Sequence, residues 1–288
     1  MADSALSGQA EDYASALVAP TKQVVLSGQT FAYREFGEPI GTPIVLLNHL
    51  AANLDNWDPS VLAALSNSRH VLAFDNAGVG ASSGRVPATI DEMAEHAAKF
   101  IAGMGFDQVD VVALSMGGMV AQSLALSEPA LVRKLVLVGT GPRGGRGIAR
   151  VSRTTFALMA RGVATRSDPK EFIFFNRNAT GKAAAKSYLA RLAMRNLDRD
   201  KPIAPSSFMR QLKAIRTFGT STPDDLSKIQ VPTLVINGDS DIMVPTELSK
   251  ELQARIPGAG LVIYPDAGHG SLFQHSDQFA AEVLKFLA

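Results

Sequence analysis

Apolar runs of strand length alternate with helical segments along most of the chain. Six of these runs are rich in Val, Ile and Leu and lack the apolar–polar alternation of a half-exposed strand. Continuous apolar strands separated by helices are typical of a mostly parallel sheet covered by helices on both faces. The six runs are TPIVLLNH, RHVLAFD, VDVVALS, KLVLVGT, PTLVINGD and GLVIYPD, and KQVVLSG and TFAYREFG before them are predicted to form a hairpin. The pattern predicts an α/β fold with a mostly parallel, doubly wound sheet.

The alternation stops at the glycine-rich segment 141–147, GPRGGRG, and no strong strand signal returns before about residue 222. Segments in between, such as GKAAAKSYLARLAMRN, have a helical composition. One of them, SSFMRQLKAIRTFG, places Phe208, Leu212 and Ile215 on one apolar stripe. We therefore predict a core formed by residues 1–140 and 223–288, with residues 141–222 inserted as a helical cap.

Charge distinguishes the same segment from the rest of the chain. Between Arg143 and Arg216 there are 17 Lys and Arg residues and four acidic residues, although the whole chain has a net charge of +1. The segment shows no interleaved aromatic residues and no nucleic-acid-binding motif, so we predict no nucleic-acid partner and a mostly solvated basic face. A basic cap could instead raise the local concentration of an anionic substrate, and this alternative stays open.

Composition and patterning exclude several kinds of chemistry. The chain contains no cysteine, which removes disulfides, thiolate nucleophiles and cysteine zinc sites. No apolar run approaches the ~20 residues needed to cross a bilayer, so no membrane partner is predicted. The first twenty residues are acidic and have no positively charged start, which predicts no secretory signal and, with the missing cysteines, favours a cytoplasmic location.

The glycine-rich segment DNAGVGASSG, residues 75–84, resembles a dinucleotide-binding loop at first sight. It meets Pro87 before any helix, whereas a dinucleotide-binding loop runs directly from a strand into a helix. We therefore predict that this segment binds no dinucleotide. No other organic cofactor and no metal site is predicted from the sequence.

A serine lies where a predicted strand becomes a helix. Ser115 stands between VDVVAL and MGGMVAQSLAL, with Ala113 and glycines as small neighbours. A sharp turn from strand to helix strains the serine backbone, and bulky neighbours would clash there. Its hydroxyl would project above the carboxyl end of the sheet, where open α/β folds bind ligands. Ser115 is thus a candidate nucleophile, although an incidental turn residue would show the same local pattern.

A base and two acids follow the last two predicted strands. The segment YPDAGHGS places His269 in a glycine-flanked loop, and VINGDSDIMVP supplies Asp239 and Asp241. A neutral serine needs a base, and the base needs an orienting carboxylate. Asp241 lies farther out over the expected sheet edge, whereas Asp239 could be a turn residue.

Ser115, Asp241 and His269 occur in this chain order, each after a strand, and this arrangement resembles the α/β-hydrolase superfamily. The second acid of GDSDIMVP matches the Gly-x-x-Asp loop of that superfamily, which favours Asp241 as the third member of a catalytic triad. The resemblance covers the chain from about residue 22 to its end and implies the α/β-hydrolase fold.

The resemblance also implies an oxyanion hole made of two backbone N–H groups. One would belong to Met116, directly after the nucleophile, and the other to Leu50 in NHLAANLDNWDP. The superfamily commonly has His-Gly-x at this place and an aromatic residue later, where this chain has His49 in the glycine position and then Trp57. His49 and Trp57 are candidate pocket residues, with packing as the alternative for His49 and a place in the core as the alternative for Trp57.

Taken together, the resemblance implies a serine hydrolase that cleaves a small carboxylic ester or lactone through an acyl-enzyme, without a cofactor. The loops around Leu50 and Ser115 are similar to those of 3-oxoadipate enol-lactonases, general esterases and cofactor-free haloperoxidases. Carbon–carbon bond hydrolases, perhydrolases and acyltransferases with the same triad remain alternatives, as does a non-enzymatic ligand receptor on this scaffold. No oligomeric state is predicted.

Overall fold

The computed structural model describes residues 13–288. Residues 1–12 lie outside it, and with them most of the acidic stretch on which the expectation of no secretory signal rests. The strands are β1 (Lys22–Leu26), β2 (Gln29–Phe36), β3 (Ile44–Leu47), β4 (Val71–Phe74), β5 (Val109–Leu114), β6 (Val132–Val138), β7 (Thr233–Gly238) and β8 (Gly260–Tyr264).

These strands form an eight-stranded sheet in the order β1-β2-β4-β3-β5-β6-β7-β8 within the described residues. The hairpin β1–β2 joins the sheet through an antiparallel pairing of β2 with β4. Every other neighbouring pair is parallel. The predicted mostly parallel sheet with an opening hairpin is therefore confirmed, and all eight predicted strands are present.

Helices follow most of the strands. They are α1 (Ala14–Val18), α2 (Pro59–Ser66), α3 (Ile90–Gly103), α4 (Met116–Ser127), α5 (Val151–Thr165), α6 (Lys170–Phe174), α7 (Ala179–Met194), α8 (Pro205–Thr220), α9 (Thr246–Arg255), α10 (Ser271–Gln274) and α11 (Ser276–Leu287). Short 3-10 turns are Leu54–Asn56, Pro129–Leu131, Ile148–Arg150 and Leu226–Lys228. Within residues 13–288, no helix is long and apolar enough to span a membrane.

Alternate residues of the central strands enter two different apolar clusters, one on each face of the sheet. Val111 and Ala113 of β5 pack with side chains of α3, α4 and α9. Val112 and Leu114 of the same strand pack with side chains of α2 and α11. Because both faces of β5 are covered, an alternating apolar–polar sequence would bury polar groups, and the strand is almost entirely apolar instead.

The chain between β6 and β7 contains four helices, α5–α8, and no strand among its described residues. Their buried side chains extend the two clusters of the sheet: Ile215 and Phe218 join one cluster, and Tyr188 and Leu192 join the other. We propose that residues 141–222 form a cap that lies on the core and shares its apolar packing.

Candidate active site

Ser115 lies between β5 and α4 in a backbone conformation that few residues other than glycine adopt. Its φ is 57° and its ψ is −115°. The two glycines that follow allow α4 to approach the neighbouring strand ends closely. A β-carbon at Gly117 would collide with the carbonyl oxygen of Leu47, and one at Gly118 would lie 2.5 Å from the Thr140 side chain. The sequence SMGG therefore forms a tight elbow that holds the serine hydroxyl above the sheet.

The structure brings together the three side chains that the sequence analysis selected. His269 Nε2 lies 2.9 Å from Ser115 Oγ. His269 Nδ1 lies 2.7 Å from Asp241 Oδ2. All three residues are buried. In a neutral imidazole with its proton on Nδ1, that nitrogen donates to Asp241, and Nε2 accepts from the serine hydroxyl.

Asp241 is held in place by the chain that follows it. Its Oδ1 accepts hydrogen bonds from the backbone N–H groups of Met243 and Val244, at 2.8 and 2.9 Å. Its second oxygen is therefore left for the imidazole of His269. Two backbone donors fix the carboxylate without adding another charge to the site.

Asp239, the other acid of the same loop, lies at a turn. Its carboxylate accepts from the backbone N–H groups of Asp266 and Ala267, at 3.0 and 3.3 Å. Hydrogen bonding from the Ser240 hydroxyl is the main cause that lowers the pKa of Asp239 below its ordinary value. Asp239 thus stabilises the loops after β7 and β8, and Asp241 contacts the histidine.

The imidazole of His269 is seated between a glycine and an aromatic ring. A β-carbon at Gly139 would lie 3.2 Å from Nδ1, so a larger residue would press on the ring. On the cap side, the Phe174 ring lies parallel to the imidazole, with centroids 5.9 Å apart. The carbonyl of Phe174 also accepts from the N–H of Gly270 at 2.8 Å. The sequence analysis missed Phe174, because its place beside the histidine depends on how the cap folds over the sheet.

Leu50 and Met116 are the two residues predicted to supply oxyanion donors, and both lie near Ser115. Leu50 lines the same cavity as Ser115 and His269. Met116 is the first residue of α4 and is fully buried. Among the hydrogen bonds between described residues, none uses the backbone N–H of Leu50 or of Met116. Both groups are thus free to donate to a ligand atom.

His49 lies in the cavity wall. Burial lowers the pKa of its imidazole to about 3, with smaller contributions from His269 and Lys170. The ring is therefore neutral at physiological pH. Its Nδ1 lies 2.8 Å from the carbonyl oxygen of Leu50, and only a protonated Nδ1 can donate there. His49 Nε2 is buried and has no hydrogen-bond partner among the described residues.

Trp57, for which the sequence left pocket and core open, does not line the cavity. The side chain is buried in the apolar cluster formed with α2 and α11. Its indole Nε1 donates to Asn48 Oδ1 at 2.6 Å, and Asn48 Nδ2 donates to the carbonyl of Phe74. Through Asn48, the indole N–H is thus linked to the end of β4, and this link helps to fix the loop after β3.

A cavity of about 900 Å³ extends from Ser115 and His269 into the cap. Its wall on the cap side is largely apolar. The larger apolar side chains that α5, α7 and α8 contribute are Val151, Phe156, Met159, Leu189, Leu192, Phe208 and Met209, and Thr155 is the polar one. The charged residues in the wall are Asp55, Asp168, Lys170, Arg199 and Asp200. The cavity therefore carries no excess of positive charge. No group of three or more potential metal ligands of the His, Cys, Asp and Glu types is found among residues 13–288.

This fold and the elbow–histidine–aspartate geometry match one large class of proteins. The chain belongs to the α/β-hydrolase fold family, whose model matches residues 42–276. The resemblance inferred from the sequence motifs is thereby confirmed.

Individual relatives narrow the comparison. The chain is 32% identical over 253 residues to a poly(3-hydroxyalkanoate) depolymerase from Ectopseudomonas oleovorans, which covers 87% of this chain and 86% of the relative. An alpha/beta hydrolase fold protein from Chitinophaga pinensis superposes with a TM-score of 0.89 at 36% identity, covering 95% of this chain and 98% of that one. The enol-lactonase from Burkholderia xenovorans LB400 superposes with a TM-score of 0.73 at 25% identity, covering 92% and 99%.

Proposed function

We propose that the protein is a serine hydrolase that cleaves a carboxylic ester or lactone through an acyl-enzyme. One observation carries the proposal: a single imidazole is hydrogen-bonded both to Ser115 Oγ, at 2.9 Å, and to Asp241 Oδ2, at 2.7 Å. A hydroxyl with a base in contact, and a base with its own orienting carboxylate, is the arrangement that nucleophilic acyl transfer needs. A protein that only bound ligands would have no use for it.

In the first half of the reaction, Ser115 Oγ attacks the carbonyl carbon while its proton passes to His269 Nε2. The negative charge that develops on the carbonyl oxygen is stabilised by the N–H groups of Leu50 and Met116. Asp241 stabilises the imidazolium that forms. The intermediate then expels the alcohol, which takes the proton from His269 Nε2, and the acyl group remains on Ser115. In a lactone the alcohol stays tethered to the acyl group.

In the second half, a water molecule attacks the acyl carbon and gives its proton to His269 Nε2. The same two N–H groups stabilise the second oxyanion. When that intermediate collapses, the proton returns to Ser115 Oγ and the carboxylic acid is released. The enzyme is thereby restored without any cofactor taking part in these steps.

We further propose that the acyl part of the substrate is apolar and of medium length. The cavity of about 900 Å³ offers room for such a chain, and its cap side is lined by aliphatic, aromatic and methionine side chains. Two cations in the wall, Lys170 and Arg199, are outnumbered by three carboxylates, which supports a neutral substrate over an anionic one. The names of two relatives, a poly(3-hydroxyalkanoate) depolymerase and an enol-lactonase, also refer to polymeric or cyclic esters.

The test combines active-site labelling with ester hydrolysis. A fluorophosphonate is expected to label the wild-type protein on Ser115, and p-nitrophenyl octanoate is expected to be hydrolysed with a higher kcat/KM than p-nitrophenyl acetate. Ser115→Ala should lose the label and at least about 10⁴-fold in kcat. Ser66→Ala, which alters another buried serine, is the matched control and should retain both. Labelling that persists in Ser115→Ala would assign the nucleophile to another residue.

A further inference from the structure

We infer that Gln211, in the cap helix α8, is a positioning residue for the oxyanion hole. It holds the peptide group that directly follows the proposed Leu50 donor, and so fixes the turn in which that donor lies. The inference rests on the proposed function, since it assigns a role within the same reaction.

The contact joins the cap to the loop after β3. Gln211 is fully buried, and its Oε1 accepts the backbone N–H of Ala51 at 2.9 Å. Ala51 directly follows Leu50, so the cap helix holds the chain one residue beyond the proposed oxyanion donor. The two partners are separated by 160 positions along the chain, and the contact exists only when the cap lies on the core.

The same peptide group is held at its other end by His49. The carbonyl oxygen of Leu50 accepts from His49 Nδ1 at 2.8 Å. The carbonyl of Leu50 and the N–H of Ala51 belong to one planar peptide unit. Gln211 and His49 therefore fix both polar atoms of that unit, one from the cap and one from the loop itself.

The turn needs this support, because its conformation is unfavourable for the residues present. The N–H of Ala52 donates to the carbonyl of His49 at 3.2 Å, which closes a β-turn with Leu50 and Ala51 at its centre. The φ of Ala51 is 63°, whereas the φ of Leu50 is not positive. This is the pattern of a type II turn, in which the third position favours glycine. Rotation of the central peptide would relieve Ala51, and it would break both hydrogen bonds.

Gln211 is also a poor choice for packing alone. Its Nε2 is buried without a hydrogen-bond partner among the described residues. A methionine of similar length would fill the space and leave no unpaired amide, so a purely structural role would favour it. The glutamine is explained by the one thing methionine lacks, an acceptor oxygen for Ala51.

The position of Gln211 also connects substrate binding to catalysis. Phe208 and Met209, on the same helix, line the cavity. An acyl chain that packs against them presses on the helix that holds the oxyanion turn. Filling the cavity and forming the oxyanion hole are therefore coupled through α8.

The test compares two variants of Gln211 with one control on the same helix. Gln211→Met should lower kcat about 10- to 100-fold, less than the ~10²–10³-fold lost when an oxyanion donor is deleted. KM should change less than about threefold, because the chain still packs against the cavity wall. Gln211→Glu keeps an acceptor oxygen and should recover most of the lost kcat. The control Ser207→Ala removes a different cap–core hydrogen bond, to Gly78, and should leave kcat unchanged.

A second readout separates a positioning role from a structural one. An alkylboronic acid forms a tetrahedral adduct with Ser115, and its affinity should fall in Gln211→Met by the same factor as kcat/KM. Equal kcat values in wild type and Gln211→Met, equal losses in Gln211→Met and Ser207→Ala, or no recovery in a folded Gln211→Glu would each overturn the inference. In those cases wild-type hydrolysis that is lost in Ser115→Ala would still support the proposed function. A wild-type protein without hydrolysis overturns both.

Discussion

Asp75 is a buried carboxyl group that the proposed reaction does not use. It follows β4, and its Oδ1 accepts from the N–H of Leu54 at 3.0 Å. Its Oδ2 and the Oδ2 of Asp200 in the cap are both buried without partners among the described residues. Both carboxyl groups lie against Gly80, where a β-carbon would collide with them. Burial, and then the neighbouring Asp200, raises the pKa of Asp75 well above its ordinary value.

This raised pKa makes stability depend on pH in a definite direction. The folded state keeps a proton on Asp75 that the unfolded chain releases near pH 4. The stabilisation is complete below that pH and is lost as the pH rises towards the folded pKa. Asp75→Asn keeps an acceptor for Leu54 and adds a donor for Asp200, so its Tm minus that of wild type should increase from pH 4 to pH 8. Thermal unfolding across this range measures it.

The exposed Asp107 provides the control for this prediction. Asp107→Asn should show a Tm difference from wild type that does not change with pH. A Tm for Asp75→Asn that falls further below wild type as the pH rises would contradict a proton held on Asp75 in the folded state.

Among single residues, the sequence analysis correctly selected those whose position is set by the end of a strand. Ser115, Asp241 and His269 each follow a strand closely, and parallel strands bring such residues to one edge. For Trp57 the sequence left pocket and core open, because the Asn48 partner of its indole N–H is visible only in the fold. Gln211 could have been noticed as a polar residue on the apolar face of α8, because it lies three residues after Phe208. The sequence analysis considered only the apolar residues of that face, Phe208, Leu212 and Ile215.

At the scale of elements, α4 is defined by how closely its first turn approaches β3. Gly117→Ala would gain up to about 1 kcal/mol in helix propensity. Its β-carbon would collide with the backbone oxygen of Leu47, which cannot move without shifting β3. We expect a net loss of about 1–3 kcal/mol in the free energy of unfolding, together with lower activity, because Met116 and Ser115 move with the helix. Denaturant unfolding and ester hydrolysis measure the two effects.

Gly260 offers a matched glycine with ordinary backbone geometry. A β-carbon there would meet only the tip of the Leu234 side chain, at 3.2 Å, and that side chain can rotate. Gly260→Ala should therefore change stability by less than about 0.5 kcal/mol. Equal effects of the two substitutions would mean that the elbow tolerates a methyl group and that its glycines serve another purpose.

Elements and their packing were not equally predictable from the sequence. The central strands β3–β7 were found because both of their faces are buried and their runs are almost entirely apolar. The cap helices were found as a group, but which of their residues face the cavity depends on how they lie on the sheet. Phe208 lines the cavity, whereas Leu212 and Ile215 of the same predicted stripe are buried. Periodicity identifies an apolar face and does not say what covers it.

At the scale of the whole molecule, the basic cap lies on a core rich in acidic residues. Several cap arginines are used in this contact instead of facing the cavity. Arg191 binds Asp58 of the core through two hydrogen bonds, at 2.7 and 2.6 Å. Arg143 pairs with Asp91 and Asp224. The charge asymmetry seen in the sequence is therefore explained in part by ion pairs between cap and core.

The Arg191–Asp58 pair tests whether these contacts hold the cap. Asp58 is fully buried, so Arg191→Met would leave an unpaired carboxylate and should cost about 3–5 kcal/mol in the free energy of unfolding. Asp58→Asn combined with Arg191→Met removes that charge, and the double variant should be more stable than Arg191→Met alone. Urea unfolding of the two single variants and the double variant measures the coupling.

Glu171→Gln, which breaks a more exposed pair with Arg177 inside the cap, should cost less than about 1 kcal/mol. Additive losses in the double variant would mean that the two residues stabilise the protein independently, and this ion pair would then not hold the cap.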